Sequence, residues 1–152
     1  MSAVMLESIE GRAAQREDAA WERACEGIIV AFANGVDRWD DENVLALFTD
    51  DGVLDRAGQK IAGREALRKW LSERPRNVMT RHVASNIALK RLSANEATGL
   101  SYFTFYRAEG ATTPASIPGP AGLGEYEDRF RLTSGGWKLA ERKIRVVFEC
   151  RP

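Results

Sequence analysis

Two side chains of this sequence have the types and positions needed for proton-transfer chemistry, Asp37 and His82. Asp37 follows an apolar helical stripe, four residues after Ala33 and seven after Val30, so the three lie on nearly the same side of the helix. A carboxylate at the end of such a stripe loses solvent, which raises its pKa. The pattern therefore predicts a general acid or base that works near neutral pH. The alternative is a helix-terminal aspartate that faces water beside Arg38.

His82 is the single histidine of the sequence, and its segment alternates like a strand. Alternation places His82, Ala84 and Asn86 on one face. A histidine and an asparagine two residues apart are unusual on an apolar face, and they indicate a polar corner of a pocket where His82 transfers protons. The alternative is a structural histidine that hydrogen-bonds to the backbone or to a carboxylate.

The tyrosines Tyr102, Tyr106 and Tyr126 are further candidates, because a pocket tyrosine can donate a hydrogen bond to a developing oxyanion. The alternative for each is a core tyrosine whose hydroxyl group is already satisfied. The basic run 142–145 is interpreted as the solvated face of a strand.

Composition excludes several classes of protein. The chain has 152 residues, with 22 basic and 22 acidic side chains, so one domain without the basic excess of a nucleic-acid binder is expected. A single histidine excludes two-histidine zinc sites and the iron facial triad, so no metal is expected. The wide spacing of Cys25 and Cys150 favours a reduced, cytoplasmic protein. The apolar stretch 27–36 is shorter than the roughly 20 residues that cross a membrane.

The candidate residues sit in a pattern of helices followed by strands, which is typical of an α+β domain. We expect a tail over 1–16 and a single domain over 17–150. The predicted elements are helices over 17–38 and 41–49, a hairpin over 53–62, a helix opened by 63–65, strands over 81–92, 98–108, 125–133 and 137–148, and a loop over 110–124.

The central strand candidates are apolar on both faces. Tyr102 and Tyr106 point one way, while Phe103 and Phe105 point the other. Three helices can cover only one face of the sheet, so a partner subunit is expected on the other face. The alternative is a monomer whose second face is only partly apolar.

Six stretches of the chain, taken together, resemble a known family. In their order and spacing they are similar to the SnoaL-like branch of the nuclear-transport-factor-2-like superfamily, which includes scytalone dehydratase, bile acid dehydratase and polyketide cyclase relatives. The resemblance extends over about residues 17–148. The stretches are 32–40 (FANGVDRWD), 45–55 (LALFTDDGVLD), 63–67 (GREAL), 80–86 (TRHVASN), 124–129 (GEYEDR) and 136–142 (GWKLAER).

The resemblance implies a fold and a site. The fold is a cone-shaped, cystatin-like curved antiparallel sheet wrapped around three N-terminal helices, with a deep pocket and dimerisation through the sheet. Family dehydratases use an aspartate at the end of the first helix and a histidine on the third strand as an acid/base pair. Those positions fall on Asp37 and His82.

The chain departs from the family pattern at several positions. Val36 stands where a tyrosine often precedes the family aspartate, and Arg56 stands where scytalone dehydratase has a tyrosine on the first strand. The second histidine of that enzyme falls near Tyr106. Scytalone itself is therefore not the expected substrate. Tyr106 and Tyr126 are expected to replace the missing donors, and Asn86 is expected to orient His82.

The first functional hypothesis is a cofactor-independent lyase or isomerase, of dehydratase type, that acts on a small apolar cyclic molecule. His82 removes a proton next to a carbonyl group or ring and later returns it, while Asp37 orients His82 and balances its charge. Phe32, Trp39 and Arg56 complete the expected substrate-binding set. A homodimer is expected for such an enzyme.

Two other functions remain open on the sequence. The small subunit of ring-hydroxylating dioxygenases shares this fold, and the stretch 136–139 resembles its C-terminal strand. Such a subunit is a non-catalytic scaffold that forms trimers, so a homotrimer favours this hypothesis. The third hypothesis is a ligand-binding protein without turnover.

Overall fold

The computed structural model describes the backbone of residues 3–110 and 112–150, and the side chains of residues 19–110 and 112–150. Over these described residues, three helices and six strands follow one another in the order that the periodicity predicts. The helices are α1 (Ala3–Arg38), α2 (Asp41–Ala46) and α3 (Arg64–Ser72). The strands are β1 (Phe48–Arg56), β2 (Gln59–Ala62), β3 (Val78–Arg91), β4 (Glu96–Glu109), β5 (Gly122–Thr133) and β6 (Gly136–Glu149).

The strands form one curved sheet in the order β2-β1-β6-β5-β4-β3. Strands β3 to β6 are joined by hairpins and run antiparallel, as the predicted meander requires. The exception is the contact between β1 and β6, which is parallel. A curved sheet with N-terminal helices packed on it confirms the predicted α+β class.

Two element boundaries differ from the prediction. Helix α1 begins at Ala3, well before residue 17, while the division between tail and domain stays a prediction because the side chains of residues 1–18 lie outside the description. Helix α2 stops at Ala46, before the predicted end at residue 49, and Phe48 already begins β1. Phe48 is buried and pairs with β6, and this tertiary contact outweighs the local helical pattern.

Helix α1 packs on the concave face of the sheet and supplies much of the core. One side of this helix faces solvent, since Val30 is 46% exposed. No helix within the described residues has the length and apolar character needed to cross a membrane. The core includes Cys25, Ile29, Phe32, Leu45, Phe48, Leu54, Leu67, Leu71, Phe103, Tyr126, Phe130 and Leu139.

The register of the described sheet shifts at several points, and two of these bulges bear on the site. Strand β3 carries an extra residue opposite β4 between Ser85 and Ala88, where Asn86 has a positive φ of 51°. Strand β6 carries an extra residue opposite β5, because Arg129 pairs with Glu141 while Phe130 pairs with Leu139. A bulge changes which side chains face the core from that point onward.

Candidate functional site

A cavity of about 360 Å³ lies between the end of α1, helix α3 and one end of the curved sheet. Its wall is formed by residues at the end of β1, the beginning of β3, the end of β4, the beginning of β5 and the end of β6. An aromatic, largely apolar lining of this kind suits a ring-shaped ligand. The apolar lining includes Phe32, Val36, Trp39, Trp70, Val78, Phe103, Phe105, Tyr126 and Ile144.

His82 lines this cavity, and Asp37 lies directly behind it. The Nδ1 atom of His82 is 2.6 Å from Oδ1 of Asp37, and the backbone N–H of His82 donates to Oδ2 at 2.7 Å. The hydroxyl group of Thr80 also donates to Oδ1, at 2.8 Å. The side chains of Asp37 and His82 are only 6% and 16% exposed. Three donors therefore hold the carboxylate in place at the end of α1.

The pKa of Asp37 differs from the sequence-based expectation. Burial of the carboxyl group does raise its pKa, as predicted. The hydrogen bonds from the ring and backbone of His82, the charge of His82 and the hydroxyl group of Thr80 together outweigh burial, and the pKa of Asp37 falls below its ordinary value. The predicted raised pKa is therefore wrong, because donors surround the desolvated carboxylate. Asp37 is suited to accept hydrogen bonds as an anion.

The ring of His82 is held between this carboxylate and two aromatic rings. It stacks on Phe105 with a centroid distance of 5.8 Å and an interplanar angle of 17°, and it lies 5.9 Å from Phe103. Since Nδ1 faces the carboxylate, neutral His82 carries its proton on Nδ1 and leaves the lone pair of Nε2 available. This arrangement can accept a proton from a molecule in the cavity.

Four of the residues predicted to bind substrate line the cavity: Phe32, Trp39, Arg56 and Tyr126. Tyr126 is almost fully buried, stacks on Phe103 at 4.3 Å, and has its pKa raised by burial. Its hydroxyl group therefore stays protonated near neutral pH.

Two other predicted residues lie outside the cavity lining. Tyr106 is on the outer face of β4, since its neighbours Phe105 and Arg107 line the cavity and side chains alternate along a strand. Asn86 is exposed at the bulge of β3 and makes no hydrogen bond with His82. The proposed roles of Tyr106 as a donor and of Asn86 in orienting the histidine are therefore wrong.

Trp39 forms one side of the cavity mouth. It follows the last residue of α1 with a positive φ of 61°, a conformation that favours glycine and is costly for a bulky residue. The guanidinium group of Arg74 lies 4.7 Å from the Trp39 ring and 5.7 Å from the Trp70 ring. Arg74 also donates to Val36 O and to Asp41 Oδ1. These contacts hold the strained tryptophan in the cavity wall.

An ion pair behind the cavity was not anticipated from the sequence. Arg142 was interpreted as part of a solvated run, but its side chain is fully buried, as is that of Asp128. Arg142 donates from Nε at 2.8 Å and from Nη2 at 2.6 Å to the two carboxylate oxygens of Asp128. Burial alone would lower the pKa of Arg142, but Asp128 outweighs burial and raises it, so the group stays charged.

Arg142 touches two of the cavity-lining rings. Its guanidinium carbon lies 4.1 Å from the centroid of Tyr126 and 4.4 Å from that of Phe32, while its Nη1 has no hydrogen-bond partner. The sequence does contain one signal for this pair. Asp128 alternates with Tyr126 and Phe130 on a buried strand, and a buried carboxylate requires a partner.

Other groups offer less for catalysis. Burial raises the pKa of Cys25 to about 12, which leaves its thiol unreactive. Among the described side chains, no group of three or more histidine, cysteine, aspartate or glutamate residues could hold a metal ion.

Several solved structures are similar to this chain, and some of them are proteins with a cystatin-like fold. A protein of unknown function from Mycobacterium tuberculosis is 27% identical, with a TM-score of 0.68, over 96% of this chain and 76% of that chain. A scytalone dehydratase-like protein from Novosphingobium aromaticivorans is 24% identical, with a TM-score of 0.74, over 90% of both chains. The hexachlorocyclohexane dehydrochlorinase LinA-type3 from Novosphingobium barchaimii is 16% identical, with a TM-score of 0.74, over 90% of this chain and 92% of that chain.

No curated protein sequence matches the chain. The model of the SnoaL-like domain, however, matches residues 17–143, which is most of the chain. This match agrees with the fold of the similar structures and confirms the resemblance seen in the sequence. The chain therefore belongs to the SnoaL-like domain family.

Proposed function

We propose that this protein is a cofactor-independent lyase or isomerase that acts on a small apolar cyclic substrate through His82 and Asp37. The observation that carries the proposal is the 2.6 Å contact between His82 Nδ1 and Asp37, with His82 at the wall of an aromatic cavity. Two structural neighbours bear the names of a dehydratase and a dehydrochlorinase, which supports an elimination reaction.

In the proposed reaction, Nε2 of His82 removes a proton from the carbon next to a carbonyl group of the substrate. The electron pair of the broken C–H bond moves towards the carbonyl oxygen and forms an enolate. The protonated His82 then gives its proton to the hydroxyl group on the next carbon, which leaves as water while a C=C bond forms. Asp37 stays ionised and stabilises the imidazolium between the two steps.

Arg142 and Tyr126 would stabilise the charge that develops during this reaction. Tyr126 lines the cavity with a protonated hydroxyl group, and Arg142 lies behind it with an Nη1 donor that has no partner. Arg142 lies outside the cavity lining, so its charge would act on the substrate through the Tyr126 ring that it contacts. Preorganised donors of this kind stabilise an oxyanion without further rearrangement.

The Asp37–His82 contact favours this hypothesis over the two others. A scaffold subunit of a ring-hydroxylating dioxygenase, or a protein that only binds a ligand, does not require a carboxylate with three donors behind a cavity histidine. The native mass of the protein distinguishes the enzyme from the scaffold subunit, because a dimer is expected for the enzyme and a trimer for the scaffold.

The test is a screen of cyclic β-hydroxy ketones. Ultraviolet absorbance measures the conjugated enone that dehydration forms. We expect turnover by the wild-type protein and a loss of roughly 10²–10⁴-fold in kcat in His82→Gln. Asp37→Asn should also lower kcat, because it removes the group that orients the histidine. Asp50→Asn, which removes a carboxylate whose side chain is 93% exposed, is the matched control and should retain activity. Equal rates in wild type and His82→Gln would contradict the proposed role of His82.

A further inference from the structure

The charged side chains of the cavity wall all have the same sign. Arg56, Arg74 and Arg107 line the cavity together with His82, whereas no aspartate or glutamate is among the described residues that line it. The chain as a whole has equal numbers of basic and acidic residues. An all-basic wall in a neutral protein is therefore a local feature that needs an explanation.

Two of these arginines already have carboxylate partners. Arg74 donates to Asp41 at 2.5 Å and also hydrogen-bonds to backbone carbonyl groups, so it supports the cavity wall. Arg107 forms an ion pair of 2.6 Å with Glu109 at an exposed position, where water screens both charges.

Arg56 differs from both. It lies at the end of β1, and within the described part of the chain its side chain makes no ion pair and no hydrogen bond. The neighbouring carboxylate of Asp55 is turned away, since its Oδ1 accepts from the backbone N–H of Gly58 at 2.8 Å. The guanidinium group of Arg56 lies 5.4 Å from the centroid of the Trp70 ring, another cavity-lining residue. Its donors are therefore available to a ligand at the mouth of the cavity.

We infer that the ligand of this cavity is an acid, with an apolar ring system in the aromatic part and a carboxylate that Arg56 binds at the mouth. Arginine presents paired N–H donors that match the two oxygens of a carboxylate. Arg56 is exposed, so water weakens its attraction to an anion, and its contact with the Trp70 ring keeps the guanidinium group beside the cavity. This inference rests on the proposed function, whose substrate class it narrows from apolar cyclic molecules to cyclic carboxylic acids.

The test compares two probes of the same shape, 1-naphthoate and its neutral analogue 1-naphthamide. Proton NMR of the single histidine, His82, reports occupancy of the cavity, because the naphthalene ring shifts nearby ring protons. We expect the wild-type protein to bind naphthoate more tightly than naphthamide, with a preference that falls as salt is added. In Arg56→Gln, the Kd for naphthoate should rise about three- to tenfold, while the Kd for naphthamide should stay unchanged.

Two further variants make this comparison specific. Arg56→Lys should restore part of the naphthoate preference, because it retains the charge but loses the paired donors. Arg23→Gln removes an exposed arginine of α1 that does not line the cavity, and it should bind both probes as wild type does.

Each contrary outcome has a separate meaning. The inference would be overturned if the wild-type protein bound the two probes with equal affinity, or if Arg56→Gln weakened the binding of both probes equally. Either result would leave the Asp37–His82 proposal intact. Binding of neither probe would overturn the inference and also count against a cyclic substrate. The titration involves no turnover, so an inactive protein that prefers naphthoate would support the inference while the proposed reaction fails.

Discussion

At the scale of the residue, the surroundings of Asp37 favour its ionised form. Its two oxygens accept hydrogen bonds from the His82 ring, the His82 backbone and the Thr80 hydroxyl group. A carboxylate that accepts several hydrogen bonds is stabilised as the anion even when it is desolvated. The lowered pKa of Asp37 therefore fits the orienting role that we propose for it, with His82 as the proposed group that transfers protons.

We expect the pKa of Asp37 to rise in His82→Asn, which carbon NMR of the carboxyl group can measure. The substitution removes the ring hydrogen bond and the charge of His82, while burial continues to raise the pKa. The backbone N–H at position 82 and the hydroxyl group of Thr80 still donate, so the rise should be partial. An unchanged pKa would show that the ring of His82 does not stabilise the carboxylate.

The same lowered pKa predicts how stability depends on pH. The pKa of an aspartate in an unfolded chain is about 3.9. The stability that the folded protein gains from ionised Asp37 is therefore fully present above about pH 4. It is lost as the pH falls through the lower native pKa. The difference in the free energy of unfolding between wild type and Asp37→Asn, measured in urea, should therefore shrink below about pH 4. A difference that stays constant through the acid range would contradict this assignment.

At the scale of the element, the bulges in β6 and β3 determine which polar side chains lie on the inner face of the sheet. Simple alternation from Leu139 would turn Glu141 inward, but the extra residue in β6 places Arg142 opposite Asp128 on the inner face. In β3, the bulge after Ser85 turns Asn86 outward, away from the His82 ring. Both errors of the sequence analysis thus have one cause, since a single inserted residue reverses the faces that follow it.

The aromatic wall also depends on a glycine of β5. A Cβ atom at Gly124 would lie 2.3 Å from the Phe103 ring and 2.6 Å from the backbone oxygen of Arg145. We expect Gly124→Ala to lower the free energy of unfolding in urea by about 1–3 kcal/mol. It should also shift the ring signals of His82, which contacts Phe103.

The matched control for this substitution is Gly27→Ala. Gly27 lies within α1, and nothing would lie within 4 Å of its Cβ atom. Alanine is favoured over glycine inside a helix, so this variant should be more stable by about 0.5–1 kcal/mol. A Gly124→Ala variant as stable as wild type would contradict the close packing of the Phe103 ring against β5.

At the scale of the whole molecule, no helix of the described residues covers the outer face of the sheet. Val83, Leu100 and Tyr102 are 54%, 42% and 36% exposed there, although each is apolar or aromatic. Beside them, acidic and basic residues pair across strands β5 and β6: Glu125 with Arg145, Glu127 with Lys143 and Arg129 with Glu141. A surface that carries both signs side by side can complement a copy of itself about a twofold axis.

We propose that a second copy of the chain covers this face. Light scattering coupled to size-exclusion chromatography should give the mass of a dimer for the wild type, and the double variant Leu100→Lys/Tyr102→Lys should give a monomer. Val30→Lys, which adds the same charge at an exposed position on α1, should remain dimeric. A wild-type monomer would contradict the proposal, and a trimer would instead favour the scaffold hypothesis.

The sequence by itself determined the order and type of the elements and the two residues of the candidate pair. Helical and strand periodicity are local properties, because a side chain's direction follows from the backbone conformation of its own element. The contact between Asp37 and His82 joins residues 45 positions apart, and only the packing of α1 against β3 creates it. The sign of the pKa shift of Asp37 and the burial of Arg142 also required the tertiary structure. Hydrogen-bond donors from β3 lower the pKa of Asp37. A bulge in β6, which the alternation of the sequence does not reveal, turns Arg142 into the core.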